Sequence, residues 1–277
     1  MKLPVSPRSY EPSTEALVRA VKRARRVLAD VVAAETDLDG ATAYALPERP
    51  GIRLANFASE VEPQEGSGAD ELIDRIAAHY ATHEARCLAL DAAGDAWSPE
   101  LAGRLERDGY RRQAKIVFRL AGYRPPQRGR EGLQIIPARA VYGELGAFYE
   151  AMAVAEHHAE PGGTLARDLA ATMIDRLDEP QLELFLARVD GRTAAAAGVI
   201  SLGNIGVIDP AYALPEFRGR AVASTLMAHT IDHCRRALFD QVLCERSAGC
   251  PAIRFYEAFG FEATAEYARY VLKVDDV

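Results

Sequence analysis

Two short stretches of this chain combine residue types that could do chemistry. The first reads Tyr212-Ala213-Leu214-Pro215-Glu216-Phe217-Arg218-Gly219-Arg220-Ala221-Val222-Ala223-Ser224. It describes a strand that runs out, turns through small residues and opens directly into a helix. The first amides of a helix have no partner inside it and lie at the positive end of its dipole, so an anion such as a pyrophosphate can settle there. Small side chains let the anion reach the backbone, and Arg218 and Arg220 add positive charge. The same residues also fit an ordinary strand–helix turn with surface arginines. The second stretch, Ala252-Ile253-Arg254-Phe255-Tyr256-Glu257-Ala258-Phe259-Gly260-Phe261, reads as a short helix stopped by a glycine. Tyr256 stands there between Phe255 and Phe259, and packing with them is its plainest role.

The elements that must position these stretches follow from apolar periodicity and turn residues. Residues 15–35 carry Leu17, Val21, Leu28, Val31 and Val32 at helical spacing, with Ser13 or Thr14 at the start. Short strands are expected at 42–46 and 52–57, a helix at 69–83 and a strand at 86–90. Ser98-Pro99-Glu100 opens another helix, with Ser98 at the cap. A longer strand covers 111–120. Residues 124–132 hold two prolines, three arginines and two glycines and read as a linker. Beyond it come a strand at 132–137 and helices at 139–157 and 164–177, the latter capped by Thr164. Asp190-Gly191 joins strands 182–189 and 193–202 as a hairpin. A strand at 205–214, a helix ending near 239, a strand at 241–245, a helix at 251–259 and a strand at 267–274 complete the pattern. Strands and helices mixed in this order predict an α/β class, as an α+β mixed sheet.

Length allows two domains: 277 residues divide into 1–123, the linker 124–132 and 133–277. The net charge of −7 argues against a nucleic-acid partner. The basic clusters at 22–26 and 124–130 read as solvated faces. No apolar run is long enough to span a membrane, and the first residues lack a signal-peptide core, so a cytoplasmic location is expected. The cysteines, Cys87, Cys234, Cys244 and Cys250, form no C-x-x-C pair, and no His cluster completes a metal site. A homodimer is compatible with the sequence, which carries no interface signal.

Taken together, the two chemical stretches resemble the GNAT superfamily of N-acetyltransferases. The family's coenzyme motif Q/R-x-x-G-x-G/A is matched by Arg218-Gly219-Arg220-Ala221-Val222-Ala223, and its later motif N-x-x-A-I-x-x-Y-E-x-x-G-F by most of 249–261. The resemblance implies the acyl-CoA N-acyltransferase fold over 133–277. It implies that Ala213 and Leu214 offer backbone groups to the pantetheine arm of acetyl-CoA. Amides of Arg218, Gly219, Arg220, Ala221, Val222, Ala223 and Ser224 would hold the pyrophosphate. Tyr256 would protonate the departing thiolate, a phenol being protonated at neutral pH. The acceptor would be a primary amine of a small molecule or peptide, with no metal involved. Three departures stand out. Ala221 takes the central glycine's place, which a helical position tolerates. Gly249 replaces the asparagine. The strand glutamate that assists amine deprotonation is missing, leaving Asp209 as candidate base, although Asp209-Pro210 reads first as a turn pair, and Glu245 as a weaker one. The loop 155–163, with His157 and His158, is the candidate acceptor wall. The N-terminal half repeats the helix–Gly–aromatic–strand pattern at 98–120 without a phosphate turn and resembles a degenerate GNAT-like domain, where Asn56 and Trp97 are candidates for an acceptor cleft. Ala221 and the missing glutamate also admit a non-catalytic coenzyme sensor on the same fold.

Overall fold

The computed structural model describes residues 12–272 except 95, 127, 128 and 131. The N-terminal half contains α1 (Thr14–Asp30), β1 (Ala34–Asp37), β2 (Thr42–Ala45), β3 (Phe57–Val61), α2 (Ala69–Thr82), β4 (Ala89–Ala92), α3 (Pro99–Arg107) and β5 (Tyr110–Leu120). The C-terminal half contains β6 (Gln134–Pro137), α4 (Tyr142–His157), α5 (Thr164–Asp175), β7 (Leu182–Val189), β8 (Arg192–Leu202), β9 (Ile205–Ala213), α6 (Val222–Arg236), β10 (Gln241–Ser247), α7 (Ile253–Ala258) and β11 (Phe261–Leu272).

Local sequence explains several of these elements. Ser13 accepts from the Ala16 amide to cap α1, and Ser98 does the same for Leu101 at the start of α3. These bonds satisfy donors that a helix start leaves open. Asp190 and Gly191 both take positive φ, as the tight hairpin between β7 and β8 requires. Gly260 ends α7 at φ 92, and a Cβ there would stand 1.7 Å from the Gly122 carbonyl oxygen. Only glycine therefore lets the end of α7 dock against the end of β5.

All eleven strands form one sheet in the order β1-β2-β3-β4-β11-β5-β10-β9-β8-β7-β6. The two central strands are exchanged. β5, from the N-terminal half, lies between β10 and β11, while β11, from the C-terminal half, lies between β4 and β5. The sheet thus runs unbroken across the segment joining the halves. The N-terminal half also repeats the C-terminal one in shortened form. β3 and β4 are a parallel pair like β9 and β10, and in each half a helix, a glycine and an aromatic residue lead into the exchanged strand.

Several sequence expectations are corrected. α1 stops at Asp30, because residues 34–37 pair with β2 instead of extending the helix. Of residues 52–57, read as a strand, only Phe57 belongs to one; residues 52–56 form a turn in which the Ala55 and Asn56 amides donate to the Ile52 carbonyl. Asn56 is fully buried and bonds Leu46, Arg49 and Ile52, so it organises the 46–56 loop and lines no cleft. Trp97 likewise packs edge-on against Tyr270 and donates to the Ala268 carbonyl. Gly163, not Thr164, caps α5. The 22–26 cluster is no solvated face: Lys22 is 3% exposed and bonds the Ala92 and Gly94 carbonyls. α1 lies across β8, β9, β10 and β11, so Lys22 and Arg25 point into the molecule, whereas Arg23 stays exposed.

The exchange has a direct consequence for truncation. A chain beginning at residue 121 would leave β10 and β11 without the strand between them. It is expected to be unfolded or aggregated alone by circular dichroism and gel filtration, and to fold when residues 1–120 are co-expressed. A folded, monomeric fragment would contradict this account.

Candidate functional site

The site is built where two parallel strands part. β9 and β10 pair from Ile205/Gln241 to Ile208/Cys244, and no pairing continues beyond. Against β8 the register shifts between Ala197/Ala211 and Val199/Ile208, which inserts a bulge around Asp209 and Pro210. A bulge bends its strand and sharpens the local twist. From Asp209 to Ala213 the edge of β9 therefore faces a gap instead of a neighbour, with Glu245, Arg246 and Ser247 of β10 on its far side.

Beyond β9 the chain turns through Pro215–Phe217 into α6. Gly219 has φ 73 and Ala221 has φ 57. Among the described residues the amides from Gly219 to Ser224 have no acceptor, the first intrahelical bond being Thr225 N–H to Ala221 O. Left-handed residues beside helical ones gather such amides into a concave nest that suits an anion. Ala221 is not helical, contrary to the sequence expectation. It caps α6 in the left-handed region, where a methyl group costs about 1–2 kcal/mol.

The arginines of this turn play different parts. The Arg218 guanidinium folds back, bonding Glu156 at 2.6 Å and the Ala213 carbonyl at 3.1 Å, over the Tyr212 ring. Tyr212 also donates to Glu156, at 2.8 Å. The Arg218 hydrogen bond first, then that of Tyr212, holds the Glu156 carboxyl below its ordinary range. Arg220 is exposed and has no partner among the described residues. The supposed linker contributes too: the Arg130 amide donates to Thr225 Oγ1 at 2.9 Å, bringing this segment to the start of α6.

Tyr256 is 2% exposed, on α7, in an apolar cluster with Phe118, Ile208, Cys244 and Phe261. Its hydroxyl accepts a hydrogen bond from Arg246, whose guanidinium also lies 4.3 Å from the ring centre. Arginine only donates, so the phenol keeps its own proton to give, and the cation stabilises the charge left behind. Sequence reasoning missed Arg246. The available signal was strand alternation, which turns it to the opposite face from Glu245.

The two candidate bases differ sharply. The Glu245 carboxylate contacts Arg25 at 2.8 Å and Lys115 at 3.3 Å, and accepts from the Tyr267 hydroxyl. Burial alone would raise its pKa, but these partners outweigh it and hold the carboxyl at about 2. A group so stabilised as an anion is a poor proton acceptor. Asp209 is exposed. Its charge acts on two buried groups of the α4–α5 side, Tyr149 and Arg176, and Arg176 is pushed down to about 10 chiefly by burial. His157, at the end of α4, is held below its ordinary range by its surroundings and by nearby Arg53. His158 is the left-handed cap of α4.

The matching gap in the N-terminal half is chemically different. A cavity of about 470 Å³ opens beside β3, β4 and the start of α2, and Glu62 and Glu100 are the charged residues in its lining. An acidic wall repels a pyrophosphate. Among the described residues no group of His, Cys, Asp or Glu is arranged to hold a metal ion, and no helix is long and apolar enough to cross a membrane.

Residues 144–261 match the acetyltransferase (GNAT) family, and this part of the chain is a domain of that family. A functionally unknown conserved protein from Staphylococcus epidermidis superposes with a TM-score of 0.60 at 15% identity, covering 88% of this chain and 95% of its own. A GCN5-related N-acetyltransferase from Kribbella flavida gives 0.58 at 13% identity, over 92% and 95%. Another from Sphaerobacter thermophilus gives 0.52 at 20% identity, over 83% and 76%. These likenesses are of fold, and the mixed α/β fold expected from the sequence is the one observed. No curated protein sequence matches the chain.

Two measurements test the energetics of the site. The Glu245 pKa is lower folded than unfolded, so its stabilisation is present above about pH 4.3 and is lost as pH falls toward 2. Its size is roughly 3 kcal/mol. Glu245→Gln takes the carboxylate from Lys115 and leaves Arg25 with the carboxylate of Asp91 alone, and is expected to cost about 3–5 kcal/mol by urea denaturation at neutral pH, with a flatter acid limb. Equal stability of variant and parent across that range would remove the network from the account. Ala221→Gly relieves the left-handed strain and is expected to add about 1 kcal/mol to stability. A loss would mean that the alanine methyl contributes packing that outweighs its strain.

Proposed function

We propose that this protein transfers an acetyl group from acetyl-CoA to a primary amine of a small molecule or peptide. The observation that carries the reading is the gap between β9 and β10, with the amide nest of Gly219–Ser224 beyond the end of β9 and the Tyr256–Arg246 pair on its β10 side. The nest and exposed Arg220 fit a pyrophosphate, and the β9 edge on the gap side, leading to Ala213 and Leu214, fits an amide-bearing arm once Arg218 releases the Ala213 carbonyl.

Acetyl-CoA supplies an activated thioester, so the amine nitrogen bonds to the carbonyl carbon as the carbon–sulfur bond breaks. The free β9 amides polarise the carbonyl. Tyr256 gives its proton to the sulfur, steadied by Arg246, and regains one from solvent. Asp209, on the exposed side of the bulge, takes the proton leaving the nitrogen, directly or through water. The reading needs no metal, nucleic acid or membrane. It places the reaction in the cytoplasm, where the free cysteines stay reduced. A coenzyme sensor without catalysis would share the nest, but a buried tyrosine with its hydroxyl held by an arginine favours chemistry.

The test is calorimetric titration with acetyl-CoA, followed by thiol release against a panel of amines. Tyr256→Phe is expected to bind acetyl-CoA as the parent does and to lose about 10²–10⁴-fold in kcat. Full rate in that variant would remove the acid role. Binding without turnover on any amine would favour the sensor.

A further inference from the structure

The α1 side of the sheet carries positive charge that the proposed chemistry does not use. Arg269, on β11, is 6% exposed, and its Nε and Nη2 have no hydrogen-bond partner. The nearest carboxylate is Asp91, whose Oδ2 lies 3.4 Å away but is already bonded to Arg25 at 2.6 Å. One oxygen of Asp91 thus faces two guanidinium groups, while its Oδ1 has no hydrogen-bond partner. The Arg269 guanidinium also lies 5.5 Å from the centre of the Phe57 ring. Phe57 ends the 46–56 loop, and the turn from Ile52 to Asn56 sets Arg53 one turn before it. Arg53 is exposed, has no partner among the described residues, and feels the charge of Arg269.

The loop holding Arg53 is fixed, not loose. Arg49 bonds Asp175 at 2.6 Å and Thr172 at 3.1 Å, and Arg176 donates to the Leu54 carbonyl at 2.9 Å. These contacts lead to the mouth of the gap from both sides. From Leu54 the path runs to Arg176, on which the charge of Asp209 on β9 acts. From Arg269 it runs through Asp91 and Arg25 to Glu245 on β10. A buried guanidinium left short of acceptors is costly unless something pairs it. A second arginine close by on a fixed loop raises that cost, unless an anion is received beside them.

We propose that Arg53 and Arg269 form an anion subsite on the acceptor side of the gap, and that the acceptor is an amine carrying a carboxylate. This rests on the acetyl-transfer reading for the word acceptor, while the subsite stands on its own geometry. The N-terminal half then supplies one arginine from its β2–β3 loop, and the C-terminal half supplies the other from the exchanged strand. A free amino acid presents its carboxylate next to the amine, whereas a longer amino acid presents it several bonds away, and ligand length separates these cases.

The experiment measures binding of acetylated product analogues to the full chain, without turnover. N-acetylglycine is compared with N-methylacetamide, and N-acetyl-4-aminobutyrate with N-propylacetamide, each pair differing by the carboxylate alone. In at least one pair the carboxylate is expected to tighten binding about 10- to 100-fold, the size of a charged hydrogen-bonded contact. Arg53→Gln is expected to abolish that preference and Arg53→Lys to keep part of it. Arg53→Gln should leave acetyl-CoA affinity unchanged, which also shows that the variant is folded. Equal binding within both pairs, a preference that survives Arg53→Gln, or no binding of either acid up to about 10 mM would overturn the subsite. Failure of acetyl-CoA to bind while the carboxylate preference persists would instead overturn acetyl transfer and leave the subsite standing.

Discussion

The pairing of β5 with β11 holds the molecule together. It runs from Tyr110/Leu272 to Leu120/Phe261, and each strand is flanked on its other side by a strand from the opposite half. A ladder of this kind satisfies backbone groups that would otherwise form two exposed sheet edges. It also fixes where everything else lies. β10 is positioned by β5, and β10 forms one lip of the gap. β4 is positioned by β11, and β4 supplies Asp91. Burial of the charged residues near the gap follows from this exchange.

Those charges show how the two halves are fitted to each other. Arg25 comes from α1, Asp91 from β4, Lys115 from β5, Glu245 from β10, and Tyr267 and Arg269 from β11. A buried ion-pair network gives little net stability relative to apolar packing but penalises any arrangement that leaves one member alone. Here it makes the register of four strands and one helix mutually dependent. The same network removes Glu245 from proton chemistry, because the partners that stabilise its charge also suppress its basicity.

How much of this was legible in the sequence depended on the range of the interactions. Ser13, Ser98, Asp190-Gly191 and Gly260 act within a few residues, and their roles could be read directly. The open amides that begin α6 were legible for the same reason, although the left-handed Ala221 was not, since its conformation is set by how β9 delivers the chain to α6. Ile52–Phe57 has the apolar content of a strand, yet Asn56 draws its backbone into a turn through bonds to Leu46, Arg49 and Ile52. Lys22 and Arg25 looked like solvent-facing residues because their partners lie some seventy positions or more away, on strands brought together only by the exchange. Arg246 went unnoticed because nothing local links it to Tyr256. The strand exchange itself left no periodic trace, since a strand inserted between foreign neighbours looks like any other.

The clasp formed by Arg49, Asp175, Arg176 and the Leu54 carbonyl has a further meaning. A loop that must order itself around a ligand gives up conformational freedom on binding, and affinity falls accordingly. This loop has already given up that freedom during folding, against a helix from the other half. The wall opposite the bulge is therefore a rigid mould whose shape is set before any molecule arrives. Its residues 46–56 lie far in sequence from the turn at 218–224. The loop can thus change by substitution while the run of open amides at the start of α6 stays as it is.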